Sequence, residues 1–256
     1  MPTIADNYAA ALLADAAYVP EFWDGMQPSD LETALKPRMT STLAKFIADN
    51  FEIASTIDLE AGSGFNATAW RGRAGTPYAW QIHVLMRGTS SGDDGLADIS
   101  LALSSLTRGQ VQDMVNWWLR VSTPTNASAV QVSYEAVDTG QVDMHGAPIY
   151  EYQWTQSSVQ GEGLIAPAEL AAGVYVNGHS LVGYLAAAFI RLLGNYAKVK
   201  HTTTFNSAGF AADSDPGFNA IAAANEATFA GRPGRGSGGL RRASQDRTKA
   251  CVGAML

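Results

Sequence analysis

The sequence predicts an α/β fold with a mostly parallel central sheet flanked by helices, and three observations predict it. A short β-branched run, Val174-Tyr175-Val176, passes through Asn177-Gly178-His179-Ser180 into an Ala/Leu-rich stretch, Leu181 to Leu193, with no linker between them. A further apolar run, Val199 to Phe205, follows, and strand, helix, strand in that rhythm is a right-handed parallel crossover. Upstream, Phe65 to Arg73 alternates, with Ala67, Ala69 and Arg71 on one side and Trp70 on the other, and Tyr78 to Met86 carries few charges. With Gly75-Thr76-Pro77 as the turn, these two runs form a hairpin at the entry to the sheet.

The remaining elements follow in order. Ile4 to Tyr18 is helical by its alanines and leucines and is interrupted by Pro20. A second helical stretch runs from Pro28 to Asn50; Asp30 caps it, Leu31, Leu35, Leu43, Phe46 and Ile47 supply its apolar side, and Pro37 splits it in two. Outside the strand already named, Phe51 to Ala74 is expected to be short and turn-separated. Arg108 to Val121 is amphipathic, with Val111, Met114, Val115, Trp118 and Leu119 at helical spacing, and Trp117 and Trp118 belong to the packing. Ala129 to Val137 alternates as a strand, with Val130, Val132 and Tyr134 on one side. Asp138 to Glu162, polar and dotted with Tyr150, Tyr152 and Trp154, is expected to be a surface hairpin. The Leu181–Leu193 helix is apolar nearly all round, which predicts that it is sandwiched.

Composition narrows the class of protein. The chain has 256 residues, enough to bury a substantial core in one large domain. Its net charge of −7 argues against nucleic acid as a partner. The lone Cys251 excludes an internal disulfide framework. No apolar run is long enough to span a bilayer, and Met1 to Val19 holds Asp6 and Asp15 with no Lys or Arg, unlike a secretory signal. A cytoplasmic location is the resulting default. No Asp-rich ligand loop is present, so neither calcium nor another cofactor is expected.

Chemistry concentrates at Gly178-His179-Ser180. A serine on a strand-to-helix turn has its hydroxyl pushed out at the carboxyl end of the sheet, and the N–H groups of the helix start face the same point. Ser180 is therefore the candidate nucleophile. The motif departs from G-x-S-x-G in one place, since Val182 stands where glycine is usual and Gly183 follows one position later. A serine that only caps the helix is the plainer alternative.

The second strand of the hairpin ends in Arg87-Gly88-Thr89-Ser90-Ser91, followed by Gly95-Leu96-Ala97-Asp98-Ile99. Together with Gly178-His179-Ser180-Leu181 and the later Thr203-Thr204-Phe205-Asn206-Ser207-Ala208-Gly209-Phe210, this resembles the class 3 (fungal-type) lipase family of α/β-hydrolases, and more closely its bacterial lipase-like domains. The resemblance covers roughly residues 60 to 225. It implies an α/β-hydrolase-like fold and cleavage of carboxylic esters, as a lipase or esterase, through an acyl-enzyme on Ser180. It also implies oxyanion-hole N–H groups from Thr89 and Leu181, with Asp98 anchoring the adjacent loop. The partner is a lipid or ester small molecule, met in part through transient contact with a lipid interface.

The remaining catalytic groups are harder to find. Chain order in this fold is serine, then acid, then histidine. Asp213 or Asp215 is the candidate acid, with helix capping ahead of Phe218 as the alternative role. Of the four histidines, His83 is mid-strand, His179 is in the turn, and His145 and His201 remain as candidates for the base. His201 lies near the start of its strand, more than ~10 Å from the site end at ~3.3 Å per residue.

From Gly231 onward the composition changes. Residues 231–256 hold six Lys/Arg and one acid, whereas residues 1–230 hold eleven and twenty-three. The tail lacks hydrophobic periodicity and is expected to be disordered. The reading is thus a lipase-like domain over 1–230 and a Gly/Arg-rich tail over 231–256. Against the resemblance, the tail stands as a frame-shifted or truncated replacement for the C-terminal part; the alternative is a basic tail that binds something anionic. A relative secreted through a C-terminal signal is compatible with the first idea. A catalytically impaired relic or binding module is the rival function.

Overall fold

The computed structural model describes residues 3–59, 62–87, 99–179 and 183–205. Ser180, Leu181, Thr89, Asp98, Asp213, Asp215 and the 231–256 tail lie outside the described residues.

Helix α1 (Ile4–Ala16) starts at Thr3, whose hydroxyl accepts the Asp6 N–H at 3.1 Å while the Asp6 carboxylate accepts the Thr3 N–H at 2.7 Å. The expected break at Pro37 separates α2 (Pro28–Leu35) from α3 (Ser41–Asn50), which Thr40 caps through Leu43 N–H. Leu13, Leu31, Leu35, Ala44 and Ile47 of these helices are fully buried.

The sheet has the order β1 (Phe51–Leu59), β2 (Phe65–Gly72), β3 (Ile82–Arg87), β6 (Val174–His179), β7 (Val199–Phe205). The pairs β1/β2 and β2/β3 are antiparallel, and β3/β6 and β6/β7 are parallel. Strands β1, β3, β6 and β7 therefore run one way and β2 alone runs against them. The protein is mixed α/β, its sheet flanked by helices.

Three sequence expectations change here. The N-cap of α2 is Gln27, with no side-chain cap bond, because Pro28 takes the first helical position and leaves Asp30 in the first turn rather than at the cap. Phe51 to Leu59 is a nine-residue strand rather than a set of short turns. A register shift between Ile53 and Ser55 breaks its period of two, so the alternation that betrays a strand is absent from the sequence. The strand expected from Tyr78 begins only at Ile82. Tyr78 to Gln81 fold back on the end of β2, with Trp80 at φ 64° and its N–H donated to the Gly72 carbonyl at 2.9 Å.

Each face of the sheet has its own core. On one side α1–α3 pack over Phe51, Ile53, Trp70, Tyr78 and Leu85. On the other, α4 (Ile99–Ser122) and α6 (Gly183–Leu193) pack over Ala67, Ala69, Ile82, Val84, Val174 and Val176. Both expected core tryptophans are there. Trp117 donates its indole N–H to Ser55 Oγ at 3.2 Å, and Trp118 meets Phe189 of α6 edge-on at 5.1 Å between centroids. The sandwiching predicted for the apolar helix holds for α6, whose Leu185, Ala186, Ala188, Phe189 and Leu193 are buried between α4 and the sheet.

The polar region Asp138 to Glu162 does lie in a hairpin, but the strand expected at Ala129 to Val137 belongs to its first arm, β4 (Ser128–Val142). It pairs antiparallel with β5 (Pro148–Gln160) as a separate two-stranded ribbon. The Asn116 side chain of α4 clasps β4 at both Val132 N–H and Val132 C=O, each at 2.8 Å. Short helix α5 (Pro167–Ala172) then leads into β6. No helix among the described residues is long and apolar enough to cross a membrane.

The amino edge of the sheet is tied by charge. Arg71 of β2 meets Glu169 of α5 at 2.5 Å and Glu52 of β1 at 3.2 Å, and it donates to the Leu164 carbonyl at 2.6 Å. Arg73 meets the other oxygen of Glu52 at 3.0 Å. A cavity of about 390 Å³ lies beside this network, also lined by Asp24, whose carboxyl burial pushes to a higher pKa.

Two stability measurements follow. A Cβ on Gly72 would stand 1.7 Å from the Tyr78 carbonyl oxygen, so Gly72→Ala should cost about 2–3 kcal/mol in urea unfolding. Glu169→Ala strips Arg71 of its most buried partner and should cost about 3 kcal/mol by the same assay; a loss below a few tenths would show that the pair holds nothing together.

Candidate active site at the carboxyl edge of the sheet

Parallel strands end at one edge, where ligand sites in open α/β sheets collect. The β3/β6 register pairs Met86 with Gly178, and β6/β7 pairs His179 with Phe205. Arg87 and His179 thus close neighbouring strands at the same edge. The chain leaves β3 two residues ahead of Thr89 and leaves β6 immediately ahead of Ser180. Backbone register therefore brings together the two strand ends that the sequence singled out.

A cavity of about 250 Å³ opens at this edge beside Arg87, lined by Thr56, Asp58, Asn66, Thr68, Leu85 and the segment from Ala17 to Phe22. Its walls mix carboxylate, guanidinium, amide and aliphatic groups. The 17–22 segment closes one side, with Glu21 held at φ 67°.

The other three histidines stand elsewhere. His83 pairs across the sheet with Trp70 on one side and Tyr175 on the other, and Tyr175 pairs with His201. This row lies four residues behind Arg87, His179 and Phe205, or about 13 Å along the strands. His201 accordingly sits well back from the carboxyl edge, as its early place in the strand predicts. His145 is exposed in the turn of the ribbon, where its backbone N–H donates to Asp143 Oδ1 at 2.8 Å.

His83 is built into the core instead. Its ring stacks on Tyr175 at 4.8 Å and 13°, and meets Phe51 edge-on at 5.5 Å. The Asn177 amide lies 3.4 Å from Nδ1 and Gln81 Oε1 3.3 Å from Nε2. That pattern suits a neutral imidazole that accepts at Nδ1 and donates from Nε2. Burial pulls its pKa down from 6.5 to about 4, with the Asp6 carboxylate opposing weakly. His201 is lowered too, mainly by burial.

Sequence reasoning did not find the Asn177–His83–Gln81 chain or the Arg71–Glu52–Glu169 network. Both depend on strand neighbours far apart in sequence. A weak signal existed for the second: Arg71 falls on the same side of its strand as Ala67 and Ala69, where an unpaired charge would be costly. Among the described residues no group of three or more His, Cys, Asp or Glu side chains could hold a metal ion.

Comparison with known protein families, curated proteins and solved structures finds no match to this chain.

The buried imidazole gives the protein a pH dependence. The folded His83 stays neutral while the unfolded one titrates at 6.5, so the unfolded state binds the extra proton. Its contribution is whole above pH 6.5 and is lost as pH falls toward 4, by about 3 kcal/mol in all. Urea midpoints at pH 7 and pH 4.5 should differ in wild type and converge in His83→Leu; an unchanged difference would assign the effect to other groups.

Proposed function

We propose that this chain is an α/β-hydrolase-like serine hydrolase, a lipase or esterase that cleaves carboxylic esters through an acyl-enzyme on Ser180. The observation that supports it is the parallel β3/β6 register, which ends both motif-bearing strands side by side at one edge. In acylation Ser180 Oγ bonds to the ester carbonyl carbon. The serine proton passes through a base to the leaving alcohol as the C–O bond to that alcohol breaks. N–H groups of Thr89 and Leu181 hold the oxyanion, and water then repeats the sequence on the acyl-enzyme. Asp213 or Asp215 is the candidate acid, and His145 or His201 the candidate base.

A second reading has its own support. His83 and His201 lie about 13 Å behind the edge, and His145 lies in the ribbon turn. A hydrolase fold that keeps a pocket without a working triad is consistent with those positions.

Hydrolysis of p-nitrophenyl butyrate and palmitate by the full chain, beside Ser180→Ala, separates the two. The expected outcome is turnover that falls at least ~10²-fold in the variant, with the two chain lengths distinguishing esterase from lipase. Turnover equal to the variant's on both esters would support the impaired reading and sink the enzyme.

A further inference from the structure

The ribbon carries charge of one sign. Residues 128–160 contain Glu135, Asp138, Asp143 and Glu151 and not one Lys or Arg. All four carboxylates are exposed. They bond only to neutral groups of the ribbon where bonds are formed: Glu135 to Ser133 and Thr155, Asp138 to Gly140 N–H, Asp143 to His145 and Ala147 N–H. None has a cationic partner among the described residues. By contrast, three acids of the helical face have cationic partners, Asp15 with Arg38 at 2.7 Å, Glu32 with Lys36 at 2.8 Å and Asp49 with Lys45 at 3.1 Å.

One face of the ribbon adds aromatic surface to this charge. Tyr134 stacks on Tyr152 at 5.5 Å and tilts against Trp154 at 5.0 Å, and Tyr150 continues the row toward the turn. Tyr152 and Tyr150 are 68% and 58% exposed. Asp138 shares this face, across from Tyr150, while Glu135 and Glu151 lie on the other face of the same ribbon; guanidinium groups pair with carboxylates and stack on tyrosine faces. Strand β5 carries no Lys, and its only proline is its first residue, so its outer edge lacks the usual protection against an added strand.

We propose that this surface is the docking site for the chain's own basic segment, residues 231–256. That segment holds Arg232, Arg235, Arg241, Arg242, Arg247 and Lys249 against the single acid Asp246. Its net charge of +5 complements the −4 of the ribbon. The chain between Phe205 and Arg232 spans up to ~90 Å when extended, more than the ~43 Å length of a thirteen-residue strand. Docking is electrostatic in the main and so sensitive to salt, because screening shortens from about 8 Å at 0.15 M to about 3 Å at 1 M. This inference does not rest on the hydrolase reading.

Cys251, the only cysteine, supplies the probe. A nitroxide on Cys251 of the full-length protein should broaden the backbone amides of residues 135–153 at low salt, and the signals should recover at 1 M NaCl. The triple variant Glu135→Gln/Asp138→Asn/Glu151→Gln keeps every acceptor used within the ribbon. It should show the same amide spectrum with the broadening lost. Isotope-labelled chains lacking nitroxide, mixed with unlabelled nitroxide-bearing chains, should show no broadening. Broadening that is absent, lies elsewhere on the protein, persists in the triple variant or appears only in the mixed sample would overturn the proposal, the last by making a second copy the occupant.

Discussion

The parallel pairing of β3 with β6 depends on both faces of the sheet being dry. Parallel ladders occur almost only where helices cover both sides, and here α1–α3 supply one cover and α4 with α6 the other. Nearly every other feature follows from that enclosure. The central strands are largely apolar on both faces, α6 must be apolar almost all round, and some of the polar groups that remain inside find partners there. Asn177 and Gln81 do this for His83, and Ser55 does it for the Trp117 indole. A neutral imidazole is what such an interior tolerates.

The two edges of the sheet divide the work. At the amino edge Arg71, Arg73, Glu52 and Glu169 tie β1, β2 and α5 together in a network of short, partly buried ion pairs. Side chains so constrained are suited to holding elements in place. The carboxyl edge has a cavity beside Arg87 and the ends of three parallel strands. Ligand sites in open α/β sheets lie outside the carboxyl ends of the strands.

The ribbon stands apart from both. Its root is clasped by the Asn116 side chain and anchored by Val132 in the core, while residues 140–153 are all exposed. Isolated two-stranded ribbons are marginal in water. Its aromatic row and the α4 clasp account for its order near the root, and its charge distinguishes it from the rest of the surface.

Much of this was legible in the residues. Val174-Tyr175-Val176 running into Leu181–Leu193 and then Val199–Phe205 announced the parallel crossover, because a β-branched run and an apolar helix have different periods. Pro37 marked the break between α2 and α3, and the alternation of Phe65–Arg73 marked β2. Strand β1 escaped because a register shift hides its alternation. The start of β3 was displaced because Tyr78–Gln81 are held by contacts with Gly72 rather than by their own propensity. At the candidate site the sequence by itself determined the motifs and their order along the chain. Only tertiary structure decided that Arg87 and His179 end side by side and that His83 is enclosed by Phe51, Tyr175, Asn177 and Gln81. Pairing register is fixed by burial across the whole sheet, and no local window of sequence contains it.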